Sequence, residues 1–191
     1  LKTNPFPESE FTISLPKQFG RLLVCYRNGK VTRVQLLGKA VGERGVWGLG
    51  SGVRGLDDTL ASPETRSPIP ETRDPRLEKS LRAAFAAYFS GRKVEFNYPV
   101  ELEGFTLFQK AVWSAMREIP YGQTRSYRWL AERVGKPRAY RAVGNACGKN
   151  PLLIIQPCHR VVGSHGKLGG FSAGLDVKKA LLHLEGVNFD V

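Results

Sequence analysis

Long hydrophobic runs are missing from this sequence. No apolar stretch approaches the roughly 20 residues of a membrane span, which excludes a spanning helix of the usual kind. The opening residues, Leu1 to Pro5, carry no signal-peptide-like apolar stretch, so a cytoplasmic location without a membrane partner is expected. Cysteine is scarce: Cys25, Cys147 and Cys158 are an odd number without paired spacing, which suits a reducing compartment better than a disulfide scaffold. Histidine is equally scarce, and His159, His165 and His183 share no CxxC- or HxxxH-type spacing with the cysteines. No metal site and no cofactor are expected. The stretch 42–55 carries six glycines, but no Gly-Lys-Ser/Thr follows, so it is not a phosphate loop. Acidic residues are outnumbered 17 to 29, for a net charge of +12. That excess favours a polyanionic partner, nucleic acid before membrane, because no basic amphipathic anchor is present.

The charge is also localised. Residues 101–191 hold 13 basic and 7 acidic side chains, a net +6, and residues 125–149 alone hold 7 and 1, again +6. A merely solvated face would mix the signs more evenly.

Local patterns give a two-part α+β chain. Residues 1–20 read as a loose lead-in. Arg21–Tyr26 and Val31–Leu37 are apolar or β-branched runs joined through Asn28-Gly29, a hairpin signal. One strand is expected near Val46-Trp47, and the proline-bearing stretch 56–75 reads as connection. Asp74 and Pro75 open a helix whose stripe is Leu77, Leu81, Ala84, Phe85, Tyr88 and Phe89, with Gly91 as its stop. This divides the chain into an N-terminal domain at 1–91, a linker at 92–104 and a C-terminal domain at 105–191. Thr106 and Gln109 form a capping box for a helix with Phe108, Ala111, Val112, Ala115, Met116 and Ile119 inward. Ser126 caps a second helix, bearing Tyr127, Leu130, Ala131 and Val134 and ending at Gly135. Pro137 is expected to open a third, with Ala139, Ala142, Val143 and Ala146 on one face and Arg138, Arg141 and Asn145 on another. Two short helices around a glycine turn, the second with a basic stripe, match a helix-turn-helix, and an αα-hairpin with surface arginines passes the same test. A last helix turns Val177, Ala180, Leu181 and Leu184 inward, with Glu185 at its end and Gly186 as stop.

Chemistry centres on Pro157-Cys158-His159-Arg160-Val161. The run Leu152-Leu153-Ile154-Ile155 before it reads as a short buried strand ending at the cysteine. A free thiol titrates near ~8.5, so a nucleophilic Cys158 needs a base. Neighbouring side chains on an extended segment face opposite ways, so His159 would act through a water or through the local potential. Cys158 and His159 as mere core packing is the bland reading. Cys158, His159 and Glu185 as a cysteine hydrolase triad is another. A hydrolase, however, has no use for a basic helix-turn-helix. A nucleophile beside a DNA-binding helix points to chemistry on a base, which must first be flipped out of the stack.

From about Leu81 to Gly186 the chain resembles the O6-alkylguanine-DNA alkyltransferases, also called methylated-DNA–protein-cysteine methyltransferases. The resemblance is carried by Phe108-Gln109 with Val112-Trp113, Ile119-Pro120-Tyr121-Gly122 followed by Ser126-Tyr127, and Arg141-Ala142-Val143-Gly144. Asn150-Pro151, the Pro157–Val161 core, Gly174-Leu175 and Leu181-Leu182 complete it. It implies a ribonuclease H-like N-terminal domain and a mainly helical C-terminal one carrying the helix-turn-helix. It also implies a suicide enzyme of DNA repair, acting as a monomer on double-stranded DNA that carries O6-alkylguanine, with O4-alkylthymine a second lesion. Cys158 would be the alkyl acceptor, activated by His159 through a water and by Glu185, with Asn150 bracing the active-site turn. Tyr127, Val161, Phe171, Ser172 and Lys178 would form the base pocket. Arg141 would enter the minor groove, with Arg138, Asn145 and Ser126 also facing DNA. Phe171 stands where many relatives have tyrosine, and Asn145 where some have glycine. The zinc ligands of some relatives' N-terminal domains are not discernible, since residues 1–90 hold one cysteine and no histidine. Two other readings are a lesion-binding alkyltransferase-like protein, which lacks the motif cysteine, and a transcriptional regulator, which would need a second half-site module.

Overall fold

The computed structural model describes residues 8–37, 73–164 and 167–188. The strand expected near Val46-Trp47 and the loop histidine His165 lie outside the described residues.

Three antiparallel strands, β1 (Ser9–Ser14), β2 (Arg21–Arg27) and β3 (Lys30–Leu37), form a sheet in that order. The first corrects the reading of 1–20 as a loose lead-in: Phe11 and its neighbours alternate in and out against β2. Asn28 and Gly29 join β2 to β3 with φ of 48° and 70°, the left-handed pair that a two-residue hairpin needs. A bulge between Cys25 and Tyr26 skips Thr32, so Tyr26 opposes Val31 and stays on the face of Leu22, Val24, Val34 and Leu36.

Helix α1 (Pro75–Phe89) begins where the Asp74 carboxylate accepts from the amides of Arg76 and Leu77 at 3.0 Å each, and it lies on that face. Phe89 meets Phe19 at a ring separation of 5.0 Å, and the Arg82 guanidinium sits 4.4 Å over Phe11. Phe96 of the 92–104 segment is buried 4.9 Å from the Phe85 ring. The outer edge of β3 is covered twice. Val31 exchanges backbone hydrogen bonds with Pro99 and Glu101, and Val34 does so with Pro151 and Leu153. The second contact ties the sheet to the turn that carries Cys158.

Helices α2 (Leu107–Met116), α3 (Tyr127–Arg133) and α4 (Tyr140–Gly148) pack together, and α5 (Leu175–Leu184) closes the chain. The capping box of α2 is present. Its inward face is Val112, Trp113, Ala115 and Met116, while the expected Ala111 is exposed. The Trp113 indole donates to the Ala146 carbonyl at 2.8 Å, which brings the tryptophan inside. Helix α4 starts at Tyr140 and not at Pro137, because the chain is still turning through Lys136 to Ala139. Arg138 therefore lies in the turn, and Ala142 is exposed. Two further short strands, β4 (Arg125–Ser126) and β5 (Val161–Val162), pair in parallel; β4 was not anticipated.

The expected strand at Leu152–Ile155 is instead a tight turn. Leu152 touches β3, and then Ile154 takes a φ of 72°, so that Gln156 bonds back to Leu152 at 2.8 Å. A β-branched residue in the left-handed region is strained, and full burial of the surrounding run over-determines it.

One apolar cluster runs from Phe11 and Leu22 through Phe85 and Phe96 to Trp113, Leu130 and Leu181. Phe96 sits in it against the rings of Phe85 and Tyr88. Phe96→Ala is expected to lower unfolding free energy by about 3–5 kcal/mol, read from urea denaturation.

Candidate active site

Cys158 does not end a strand. It opens a short 3-10 helical turn, Cys158–Arg160, which leads into β5. All three residues of the turn are buried, with His159 at 0% exposure. Turn geometry, not an extended backbone, sets the relation of Cys158 to His159.

His159 is held by the end of α5. Its Nε2 lies 2.8 Å from Glu185 Oε1, and only Nε2–H can make a hydrogen bond with a carboxylate. The Tyr88 hydroxyl donates to the same oxygen at 2.7 Å and stands 3.3 Å from His159 Nε2. Arg160 grips both carboxylate oxygens, Nε to Oε2 at 2.8 Å and Nη2 to Oε1 at 3.0 Å, and sends Nη1 to the Ile119 carbonyl at 2.7 Å. The Gly122 amide adds a bond to Oε2 at 3.2 Å. Burial works to raise the Glu185 pKa. The hydrogen bonds of His159 and Arg160 and the charge of the guanidinium outweigh it and hold the carboxyl at about 2, against an ordinary 4.5. Burial pushes the His159 imidazole down, so the ring is neutral with its proton on Nε2. Nδ1 is left as a bare lone pair, and it is a buried atom without a protein partner.

Burial also raises the Cys158 thiol. The Asn150 side chain, Lys178 and the backbone amides of Cys158 and His159 pull it back down in part. Asn150 bonds the Gln156 carbonyl through Nδ2 at 2.7 Å and accepts from the Leu152 amide at 3.0 Å. It thereby clamps the strained turn to the end of α4. Lys178 is fully buried on α5; its ammonium donates to the carbonyls of Val161 and Leu168 and reaches that of Gly170 at 3.5 Å. Burial lowers this lysine to about 8, while Cys158 and Cys147 act the other way.

A cavity of about 350 Å³ opens beside Cys158, lined by Tyr127, Gly144, Cys147, Cys158, Phe171 and Ser172 among others. Tyr127, Phe171 and Ser172 are thus brought to Cys158 as the sequence suggested. Val161 is not in the lining; its carbonyl is taken by Lys178, which ties the 167–170 loop down beside the cavity. The Tyr127 hydroxyl bonds the Gly170 carbonyl at 3.3 Å, and a Cβ at Gly169 would stand 2.8 Å from the Tyr127 ring. Gly169, with φ of 69°, is what lets the loop close on the tyrosine.

Exposed groups sit on α4 and in the turn before it. Arg141 and Asn145 project from α4, whose Gly144 lies against Tyr127, while Arg138 is exposed in the preceding turn. The Ser126 hydroxyl accepts from the Trp129 amide at 3.1 Å as the α3 cap. Sequence reasoning missed Tyr88 and Cys147 and gave Arg160 no task. Tyr88 read as one more apolar residue of α1, although a tyrosine on a buried stripe carries a hydroxyl that must find a partner. Cys147 lines the cavity but is an inert thiol, raised by burial.

Residues 107–187 match the family described as 6-O-methylguanine DNA methyltransferase, DNA binding domain. A methylated-DNA–protein-cysteine methyltransferase of Methanosarcina barkeri is 46% identical over 134 residues, 70% of this chain and 84% of that protein. One of Mycolicibacterium paratuberculosis is 49% identical over 114 residues, 60% of this chain and 68% of its own. The crystal structure of Mycobacterium tuberculosis OGT in complex with DNA superposes with a TM-score of 0.66 at 36% identity, covering 91% of this chain and 90% of that one.

The depressed pKa of Glu185 makes stability depend on acid. The group's contribution is complete above its ordinary value near 4.5 and is lost as pH falls through about 2. Glu185→Gln is expected to cost about 3–5 kcal/mol at pH 7, because it strands a buried arginine. It should also flatten the loss of stability between those two pH values, read by urea denaturation across the range.

Proposed function

The chain belongs to the methylated-DNA–protein-cysteine methyltransferases, and from that membership we propose that it repairs O6-alkylguanine in duplex DNA by moving the alkyl group onto Cys158. The observation that carries this reading is a cavity walled by Cys158 and aromatic rings, with a neutral base buried behind the cysteine and exposed Arg141 on the helix that lines it. Cys158 lies in the lining, and His159 next to it in the chain keeps Nδ1 free because Glu185 occupies Nε2.

Burial keeps the resting thiol protonated, so attack begins with transfer of its proton to His159, bridged by a water. The resulting imidazolium is stabilised by the buried carboxylate. The thiolate attacks the alkyl carbon in line; the carbon–sulfur bond forms as the carbon–O6 bond breaks, and the electron pair stays on the guanine. A proton returned to the base completes the exchange. A thioether has no easy reverse, so each molecule acts once.

A base inside the duplex cannot reach this cavity, so the nucleotide must be extruded. Helix α4 suits that task. Arg141 and Asn145 are exposed on the helix whose Gly144 helps to line the cavity, and in this reading Arg141 occupies the vacated stack. Tyr127 and Phe171 wall the base, and Ser172 offers its backbone. The phenylalanine keeps the wall but has no hydroxyl for the ligand. A lesion-binding role without transfer is disfavoured, since the acceptor thiol is present.

Two experiments test the reading. Cys158→Ser is expected to abolish the mass increment on incubation with O6-methylguanine DNA while leaving DNA binding within about twofold, because oxygen at this position stays protonated and α4 is untouched. An increment on Cys25 or Cys147 would refute the assignment. Arg141→Ala is expected to slow single-turnover repair at saturating duplex by roughly 10- to 100-fold, the scale of a few kcal/mol of unstacking. Reaction with the free base O6-benzylguanine should be nearly unchanged. A normal saturated rate on duplex would reduce Arg141 to a phosphate contact.

A further inference from the structure

We propose that Tyr88, on helix α1, is a positioning residue for the proton transfer at Cys158: its hydroxyl restrains the Glu185 carboxylate that orients His159. The purpose of that transfer rests on the alkyl-transfer reading above, but the hydrogen bonds do not.

Tyr88 is fully buried, and its ring is already accounted for by packing. It meets Phe89 at 5.3 Å, Phe96 at 5.9 Å and Tyr121 at 6.2 Å, edge to face in each case. Phenylalanine would satisfy all of these contacts. The hydroxyl is what phenylalanine lacks, and it goes 2.7 Å to Glu185 Oε1, within 3.3 Å of His159 Nε2. Burial, then the Glu185 charge, push the phenol well above its ordinary range, so it remains a donor. Oε1 therefore takes three donors at once: the Tyr88 hydroxyl, His159 Nε2–H and Arg160 Nη2–H.

Each donor on that oxygen drains charge that would otherwise hold a proton on the imidazole. Without the phenol the carboxylate is more basic and retains imidazolium to higher pH. A protonated His159 has no lone pair on Nδ1 and cannot take the thiol proton. Tyr88 thus keeps the base neutral as well as oriented, and the N-terminal half of the chain reaches into the site through it. The other groups facing this pair are accounted for. Arg160 comes from the same turn, Tyr121 from the turn after α2, and Lys178 from α5 beside Cys158 and His159.

The test uses iodoacetamide, which alkylates the Cys158 thiolate without DNA or a lesion, so failure of DNA repair leaves this readout intact. Rates from intact mass across pH, and the His159 imidazole titration by NMR, are compared between the unsubstituted protein and Tyr88→Phe. The acid limb and the imidazole midpoint are expected to move up by about one pH unit, the scale of one hydrogen bond to a charged group. Superimposed profiles, with or without a lowered melting temperature, would overturn the proposal and leave Tyr88 a packing residue. If Tyr88→Phe does not fold, 3-fluorotyrosine at position 88 alone keeps the hydroxyl and makes it a stronger donor. Both midpoints should then move down, and an unshifted pair would overturn the proposal.

Discussion

A buried carboxylate is expensive unless it is surrounded by donors, and the environment of Glu185 is the constraint on which the rest depends. Five hydrogen bonds converge on it, at the end of α5, from three other segments: α1, the turn after α2 and the 3-10 turn. None of these segments can shift without leaving a charge or a donor unsatisfied. The seam continues next door. The Tyr121 hydroxyl lies 3.0 Å from both the Gly91 and Leu184 carbonyls, joining the ends of α1 and α5 where helical carbonyls lack partners of their own. Helix α1, the turn after α2, the Cys158 turn and the end of α5 are fastened at one point, and that point also orients His159.

Local rules made much of the fold legible. The Asn28-Gly29 hairpin, the Asp74 cap, the Thr106–Gln109 capping box and the Ser126 cap each depend on a few neighbouring residues, and each is found in place. The errors fell where distant contacts decide. Strand β1 is fixed by the edge that β2 offers it, and the short alternation of Phe11, Ile13 and Leu15 with Thr12 and Ser14 is its local signal. Leu152–Ile155 reads as a strand by composition, yet β3 accepts only its first residues, and the chain must turn at Ile154 to deliver the cysteine. Helix α4 starts late because Pro137 is part of the turn between α3 and α4.

The site divides in the same way. Cys158, His159 and Glu185 could be proposed from chemical type and from resemblance, and His159 and Glu185 do meet at 2.8 Å. Tyr88 could not, because 97 residues separate it from Glu185 and its stripe made it look like packing. Arg160 was in view as part of a motif, but only the folded chain sets its guanidinium across the carboxylate. Val161 is a partial case: it lies beside the cysteine, but its carbonyl is committed to Lys178 and so anchors the loop.

The electrostatics of the cavity bear on why a single-use nucleophile would be kept protonated. Burial raises Cys158, and Lys178 on α5 offsets only part of that rise. A standing thiolate would react with any small electrophile that entered, and under the proposed function each such event would consume a molecule. Under the proposed function, an extruded base fills the space between Tyr127 and Phe171 and displaces solvent, which strengthens every charge interaction inside the cavity. The thiol would then be activated when a lesion is seated, with His159 as acceptor and Glu185 as counter-charge. Helix α4 connects the two halves of that event. Its exposed face carries Arg141, and the flank beside it puts Gly144 and Cys147 into the cavity wall. Engagement of DNA and enclosure of the base therefore act on one rigid element, clamped to the cysteine turn by Asn150.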